Sequence, residues 1–62
     1  MTFWGKVHGT HAERADRTLG MDVRAGSLDE AREKFLAYAR TLGVGFDWQV
    51  TGIRQIRDWE YI

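Results

Sequence analysis

Histidine and carboxylate side chains are the first residues whose types and spacing could do chemistry. His8 and His11 are separated by two residues, and Asp16 follows five positions later. Imidazole nitrogens and carboxylate oxygens are ligands that zinc takes in proteins. Asp16 could be a third ligand, but nothing in the spacing requires it. We therefore interpret both histidines as ordinary surface residues, and we predict no metal and no cofactor.

Nucleophilic and acid–base catalysis have few candidate residues. Ser27 is the sole serine and the chain has no cysteine, and Ser27 is explained below as a helix cap. The neighbouring carboxylates Asp29 and Glu30 belong to the same helix start, whereas Asp58 and Glu60 alternate with Trp59 as on a solvated strand. A chain of 62 residues also leaves little room to bury a site and perturb its pKa values. We predict no catalytic residue and a protein that is not an enzyme.

Aromatic residues give the clearest functional signal. Three Trp, three Phe and two Tyr make 13% of the chain, more than one small core needs. Interface cores are enriched in Trp, Tyr and Arg. The alternative is that these rings complete the core. We predict a non-catalytic protein-interaction module, acting on another protein or on a second copy, whose surface includes Trp4, Lys6, His8, Arg54, Arg57, Trp59 and Tyr61.

Nucleic-acid binding is an alternative for the same residues. Exposed sheets that carry aromatic and basic side chains bind single strands in several protein families. Against this stand nine basic residues balanced by nine acidic ones, with Asp47, Asp58 and Glu60 in the same region. Gly45-Phe46-Asp47-Trp48 lacks the basic, glycine-spaced aromatic signature of RNA-binding sheets. A structural subunit of a larger assembly is the third alternative.

One helix, Ser27 to Gly43, organises the elements. Ser27 and Glu30 form an S-x-x-E capping box, and Gly43 is placed to take the left-handed conformation that ends a helix. The apolar stripe is Leu28, Ala31, Phe35, Ala39 and Leu42, flanked by Leu36 and Tyr38. We expect Phe35 and Leu42 to pack against Leu19, Met21, Val23 and Phe46.

Alternating patterns predict strands on both sides of the helix. Thr2 to Thr10 places Trp4, Lys6 and His8 on one face, and Arg17 to Ala25 is the cleanest strand. A period of two runs from Val44 to Val50 and breaks at Gly52. We expect a bulge or turn between Gly52 and Ile56, then a short strand around Arg57 to Tyr61.

These elements predict an α+β fold of the order β-β-α-β. It is a small two-layer sandwich in which one helix covers one face of an antiparallel sheet of three to four strands. Residues 1–62 form one domain, and the other sheet face stays uncovered. The covered face should take Val7, Leu19, Met21, Val23, Phe46, Trp48 and Val50. No apolar run is long enough to span a membrane and no signal peptide is evident, so we expect a cytoplasmic protein.

The whole chain resembles very short β-β-α-β proteins encoded by bacteriophages. The likeness lies in one strand hairpin, a helix that opens with SLDEAREK and a final segment rich in Trp and Ile. Some anti-CRISPR inhibitors are proteins of this kind. The resemblance implies a protein that binds a host protein and inhibits or redirects it without catalysis, and it assigns no individual residue.

Overall fold

A computed structural model describes residues 1–57 of the chain. Its elements are β1 (Thr2–Thr10), β2 (Arg17–Arg24), α1 (Leu28–Leu42) and β3 (Asp47–Ile56). The sheet order is β2-β1-β3, and both outer strands pair antiparallel with β1. The predicted α+β fold, with one helix on an antiparallel sheet, is confirmed.

The core lies between α1 and one face of the sheet. Phe3 and Val7 on β1 are 3% and 0% exposed, and Phe35 on α1 is fully buried. Ala31 and Ala39 are fully buried on either side of Phe35, and their small side chains let the helix come close to the sheet. The apolar residues predicted for the covered face are buried or pack against this cluster.

Two glycines of β1 face aromatic rings in this core. A methyl group on Gly5 would lie within 2.6 Å of three ring atoms of Phe35. A methyl group on Gly9 would lie within 2.9 Å of three ring atoms of Trp48. Real Cβ atoms do not approach other atoms so closely, so both rings rest directly on bare backbone.

The end of the helix corrects two predictions. Gly43 has φ −135° and is not left-handed; the glycine with positive φ is Gly45, at 89°. Gly43 is required for space, since an added Cβ would lie 2.5 Å from the Trp48 ring. The Trp48 Nε1–H also donates to the Gly43 carbonyl at 3.0 Å. Leu42 was predicted in the core but is 49% exposed, because Trp48 already packs against the end of the helix.

The third strand begins later and continues further than predicted. Val44 lies before the strand and is 83% exposed, so it does not join the predicted period of two. The bulge lies at Thr51, where the register with β1 shifts between Lys6 and Val7. There is no turn between Gly52 and Ile56, because β3 runs through to Ile56.

The predicted capping box forms with one change of partner. The Ser27 hydroxyl accepts from the Glu30 backbone N–H at 3.2 Å. The Glu30 carboxylate accepts from the backbone N–H of Gly26 at 2.8 Å, one residue before the expected Ser27. Lys34 Nζ lies 3.3 Å from the same carboxylate. The Gly26 hydrogen bond first, and then Lys34, lowers the pKa of Glu30 below its ordinary value.

Replacing Phe35 with alanine should lower the free energy of unfolding by about 3–5 kcal/mol, because it empties the centre of a small core. The matched variant Leu42→Ala removes a half-exposed side chain and should cost less than about 1 kcal/mol. Urea unfolding followed by tryptophan fluorescence measures both. Equal losses of unfolding free energy in the two variants would show that Leu42 belongs to the core.

Glu30→Gln should destabilise the protein near neutral pH, where the native carboxylate is ionised and accepts from Gly26. Because the folded-state pKa is lowered, this stabilisation is present above the ordinary glutamate pKa and is lost as the pH falls through the lowered value. The unfolding midpoints of the two proteins should therefore converge in acid. Glu33→Gln, exposed on the same helix, controls for charge alone. Midpoints that stay parallel at all pH values would contradict this role for Glu30.

Candidate interaction surface

The sheet face turned away from α1, called the open face here, carries four of the predicted site residues, three on β1 and Arg54 on β3. Trp4, Lys6 and His8 alternate with the buried residues of β1 and therefore share this face. The strand register sets their neighbours in rows across the sheet. From β2 through β1 to β3, these rows are Asp22–Trp4–Arg54, Gly20–Lys6–Gly52 and Thr18–His8–Gln49.

The row centred on Lys6 has a glycine on each side and lies beside an exposed ring. Trp4 is 37% exposed, and its indole lies over Gly20, where an added Cβ would be 3.5 Å away. On the other side, a Cβ on Gly52 would meet Lys6 Cβ alone among the atoms of residues 1–57, at 4.0 Å. Lys6 is therefore flanked on both neighbouring strands by residues without side chains.

These two open-face glycines differ in kind from those in the core. Gly5 and Gly9 have no room for a methyl group, whereas Gly20 and Gly52 meet neighbours at ordinary contact distances. Glycine inside a strand costs about 0.5–1 kcal/mol relative to alanine. The Trp4 indole packs over Gly20, whereas no contact within the described residues accounts for this cost at Gly52. Bare strand backbone of this kind suits the close approach of another molecule.

The charges around Trp4 favour an acidic ligand. The register places Lys6, Arg24 and Arg54 on this part of the open face, with Asp22 as the acidic residue among them. Ile56, opposite Thr2 in the register, is only 8% exposed. Of the β1 residues on this face, Trp4 and Lys6 are exposed next to these charges.

His8 sits in a hydrogen-bonded cluster further along the same face. Its Nδ1 lies 3.2 Å from the Thr18 hydroxyl and its Nε2 lies 3.1 Å from the Asp16 carboxylate. The order hydroxyl, imidazole, carboxylate is that of an activated nucleophile. However, the His8 and Asp16 side chains are 39% and 59% exposed, so water surrounds them. We interpret the cluster as a set of structural hydrogen bonds that hold the β1–β2 connection against the sheet.

The two histidines do not converge on one site. The His11 ring packs against Phe46 at 5.1 Å between centroids, and its Nδ1 accepts from the Glu13 backbone N–H at 2.9 Å. Asp16, considered above as a third ligand, contacts His8 instead. Within residues 1–57, no group of three or more His, Cys, Asp or Glu side chains is arranged to hold a metal ion.

A second surface, not predicted from the sequence, lies between α1 and β2. A groove of about 320 Å³ is lined by Met21, Asp22, Val23, Lys34 and Tyr38. Tyr38 is 54% exposed, although the sequence pattern predicts it beside the buried stripe. The sequence spacing could have predicted this exposure. Tyr38 and Lys34 are four residues apart and lie on one side of the helix, away from the line through Ala31, Phe35 and Ala39.

The remaining predicted site residues lie elsewhere or outside the described residues. Arg57 follows β3 and is exposed, whereas Trp59 and Tyr61 fall outside residues 1–57. Of the aromatic residues predicted for the interaction surface, Trp4 is the one that the described part of the chain places on the open face. The other large exposed apolar side chains of the described chain lie off this face: Met1, Leu28, Tyr38, Leu42 and Val44.

Comparisons with known proteins did not identify a relative of this chain. No protein-family model matches the chain, and neither a curated protein nor a solved structure was found to be similar to it. Within the described residues, no helix has the length and apolar character needed to cross a membrane.

The two kinds of glycine predict substitutions of opposite sign. Gly5→Ala should lower the free energy of unfolding by about 1–3 kcal/mol, because the methyl group overpacks Phe35. Gly52→Ala should raise it by about 0.4–1 kcal/mol, because it restricts the unfolded chain without a clash. Thermal and urea unfolding measure both. A loss of stability in Gly52→Ala would show that the fold itself requires this glycine.

Proposed function

We propose that this chain is a non-catalytic protein-interaction module that binds a partner protein on the open face at Trp4 and Lys6. The observation that carries the proposal is the pair of glycines beside Lys6. Gly20 carries the Trp4 indole on its backbone, and within residues 1–57 a Cβ on Gly52 would meet Lys6 Cβ alone, at 4.0 Å. Within the described residues no side chain fills the space at Gly52, and this space next to Lys6 suits a ligand.

The partner's chemistry follows from what surrounds this space. Trp4 offers an exposed indole, and aromatic side chains supply much of the binding energy in protein interfaces. Lys6 lies beside it, and Arg54 is the cross-strand neighbour of Trp4. The fitting partner is a protein segment that places an apolar side chain against Trp4 and a carboxylate against Lys6.

The resemblance to short phage proteins extends this proposal to the biological partner. Such proteins bind and modulate a host protein, and a sheet face with an exposed aromatic ring suits that role. We propose a host protein as the ligand of the Trp4–Lys6 site.

Nucleic acid is the competing ligand for the same residues. Trp4, Lys6 and Arg54 together offer one ring and two cations, as single-strand binders do. Asp22 also neighbours Trp4 and would repel a phosphate. The formal net charge of zero likewise favours protein.

Affinity capture from host lysate should recover a specific protein with the wild type and lose it with Trp4→Ala and with Gly52→Val. The first variant removes the ring, and the second places a branched side chain next to Lys6, at a position where a Cβ lies 4.0 Å from Lys6 Cβ. Binding of the purified captured protein, followed by tryptophan fluorescence, should weaken by at least about tenfold in each variant, equivalent to 1.4 kcal/mol. Leu42→Ala, exposed on the helix, is the matched control.

Two results would overturn the proposal. One is a partner that binds Trp4→Ala and Gly52→Val as tightly as the wild type. The other is saturable fluorescence quenching by single-stranded DNA or RNA that weakens steeply between about 50 and 200 mM salt. That second result would assign the face to nucleic acid.

A further inference from the structure

The connection between β1 and β2, residues 11–16, is held by histidine side chains and not by its own backbone. Within the described residues, none of the backbone–backbone hydrogen bonds outside the helix and strands involves residues 11–16. The residues from Ala12 to Asp16 are all exposed. The conformation of the connection therefore depends on the hydrogen bonds that His8 and His11 make to it.

His11 closes the first turn of this connection. Its Nδ1 accepts from the backbone N–H of Glu13 at 2.9 Å, two residues further on, as an asparagine or aspartate oxygen does in an Asx-turn. Nδ1 can accept only in the neutral imidazole that carries its proton on Nε2. In the protonated ring both nitrogens are donors. The Glu13 N–H would then face another N–H, and the hydrogen bond would be lost.

His8 holds the other end of the connection in a way that tolerates a proton. Its Nε2 lies 3.1 Å from the Asp16 carboxylate and its Nδ1 lies 3.2 Å from the Thr18 hydroxyl. A hydroxyl can donate or accept, so Thr18 suits both the neutral and the protonated ring. A positive charge on His8 also strengthens the hydrogen bond to the carboxylate. The same pH change therefore breaks the contact of His11 and preserves the contacts of His8.

The surroundings of His11 do not compensate a positive charge. The ring packs on Phe46 at 5.1 Å between centroids, and the Arg17 guanidinium carbon lies 5.8 Å from the centroid of the same Phe46 ring. The charged residues of the segments around His11 are Glu13, Arg14, Asp16, Arg17 and Asp47. Within the described residues, the ion pair of a histidine is that of His8 with Asp16, and no carboxylate pairs with His11.

This connection lies at the end of the sheet away from the last described residues. Ile56 pairs with Thr2, whereas His11 follows Thr10 at the other end of β1. Nine residues of strand separate the two ends by about 30 Å. The five residues after Arg57 span at most about 18 Å. Every contact that holds the connection therefore lies within residues 1–57.

We propose that the β1–β2 connection is a proton-sensitive turn. A proton on His11 releases the Glu13 N–H and opens residues 11–13, while His8 keeps Asp16 against the sheet. Histidine is the side chain that changes charge between about pH 5 and 8, so the turn is closed at the upper end of this range and opens as the pH falls. The device is distinct from the Trp4–Lys6 site and does not depend on the ligand of that site.

Nuclear magnetic resonance on the wild-type protein tests this directly between about pH 8 and 5.5, above the range in which carboxyl groups titrate. The Glu13 amide resonance should move with the same midpoint as the His11 ring resonances. Its protection from hydrogen exchange, corrected for the intrinsic pH dependence of exchange, should fall about two- to tenfold, as expected for the loss of one hydrogen bond. The Phe35 and Trp48 resonances should stay in place, because the core is not part of the change.

Two variants separate the histidines. His11→Asn supplies a side-chain oxygen that accepts from the N–H two residues on and does not titrate in this range. The Glu13 amide should therefore stay protected from pH 8 to 5.5 in this variant. His8→Asn removes the other imidazole and is the matched control, in which the Glu13 amide should still follow the His11 ring. Circular dichroism checks that both variants are folded.

Either of two results would overturn the inference. The first is a wild-type protein in which the His11 ring titrates while the position and protection of the Glu13 amide stay unchanged. The second is a Glu13 amide that responds to pH in His11→Asn as it does in the wild type. The wild-type titration decides the first without any substitution. No partner protein takes part in either measurement, so failure here leaves the Trp4–Lys6 proposal to its own test.

Discussion

The Phe35 ring resting on the bare backbone of Gly5 is the contact on which the other features of this fold depend. It joins the middle of the helix to the middle of the central strand, and Phe35 is fully buried there. Because side chains alternate along a strand, a slip of one residue would bring Trp4 or Lys6 under the helix. The close approach therefore fixes which residues of β1 are buried and which form the open face.

Trp48 is the second aromatic residue that fixes the packing of the helix on the sheet. The bulge that follows it allows both Trp48 and Ile53 to face the core. Its ring packs on Gly9 and Gly43 and bonds to the helix end. Trp48 and Ile53 lie an odd number of residues apart, so a regular strand would turn them to opposite faces. The extra residue at Thr51 restores Ile53 to the core, where it packs against the buried cluster. The same shift brings Arg54 beside Trp4 on the open face.

Local signals predicted the parts of this structure that local interactions decide. The helix start at Ser27 and Glu30 and the alternation of β1 both follow from neighbouring residues, so their positions are correct. Gly43 was misread because its role is to make room for Trp48, which the chain brings back only after folding. Likewise, Leu42 carries the right spacing for the core, but Trp48 packs there. The face carrying Trp4, Lys6 and His8 was predictable; the bare rows beside Lys6 required the strand register.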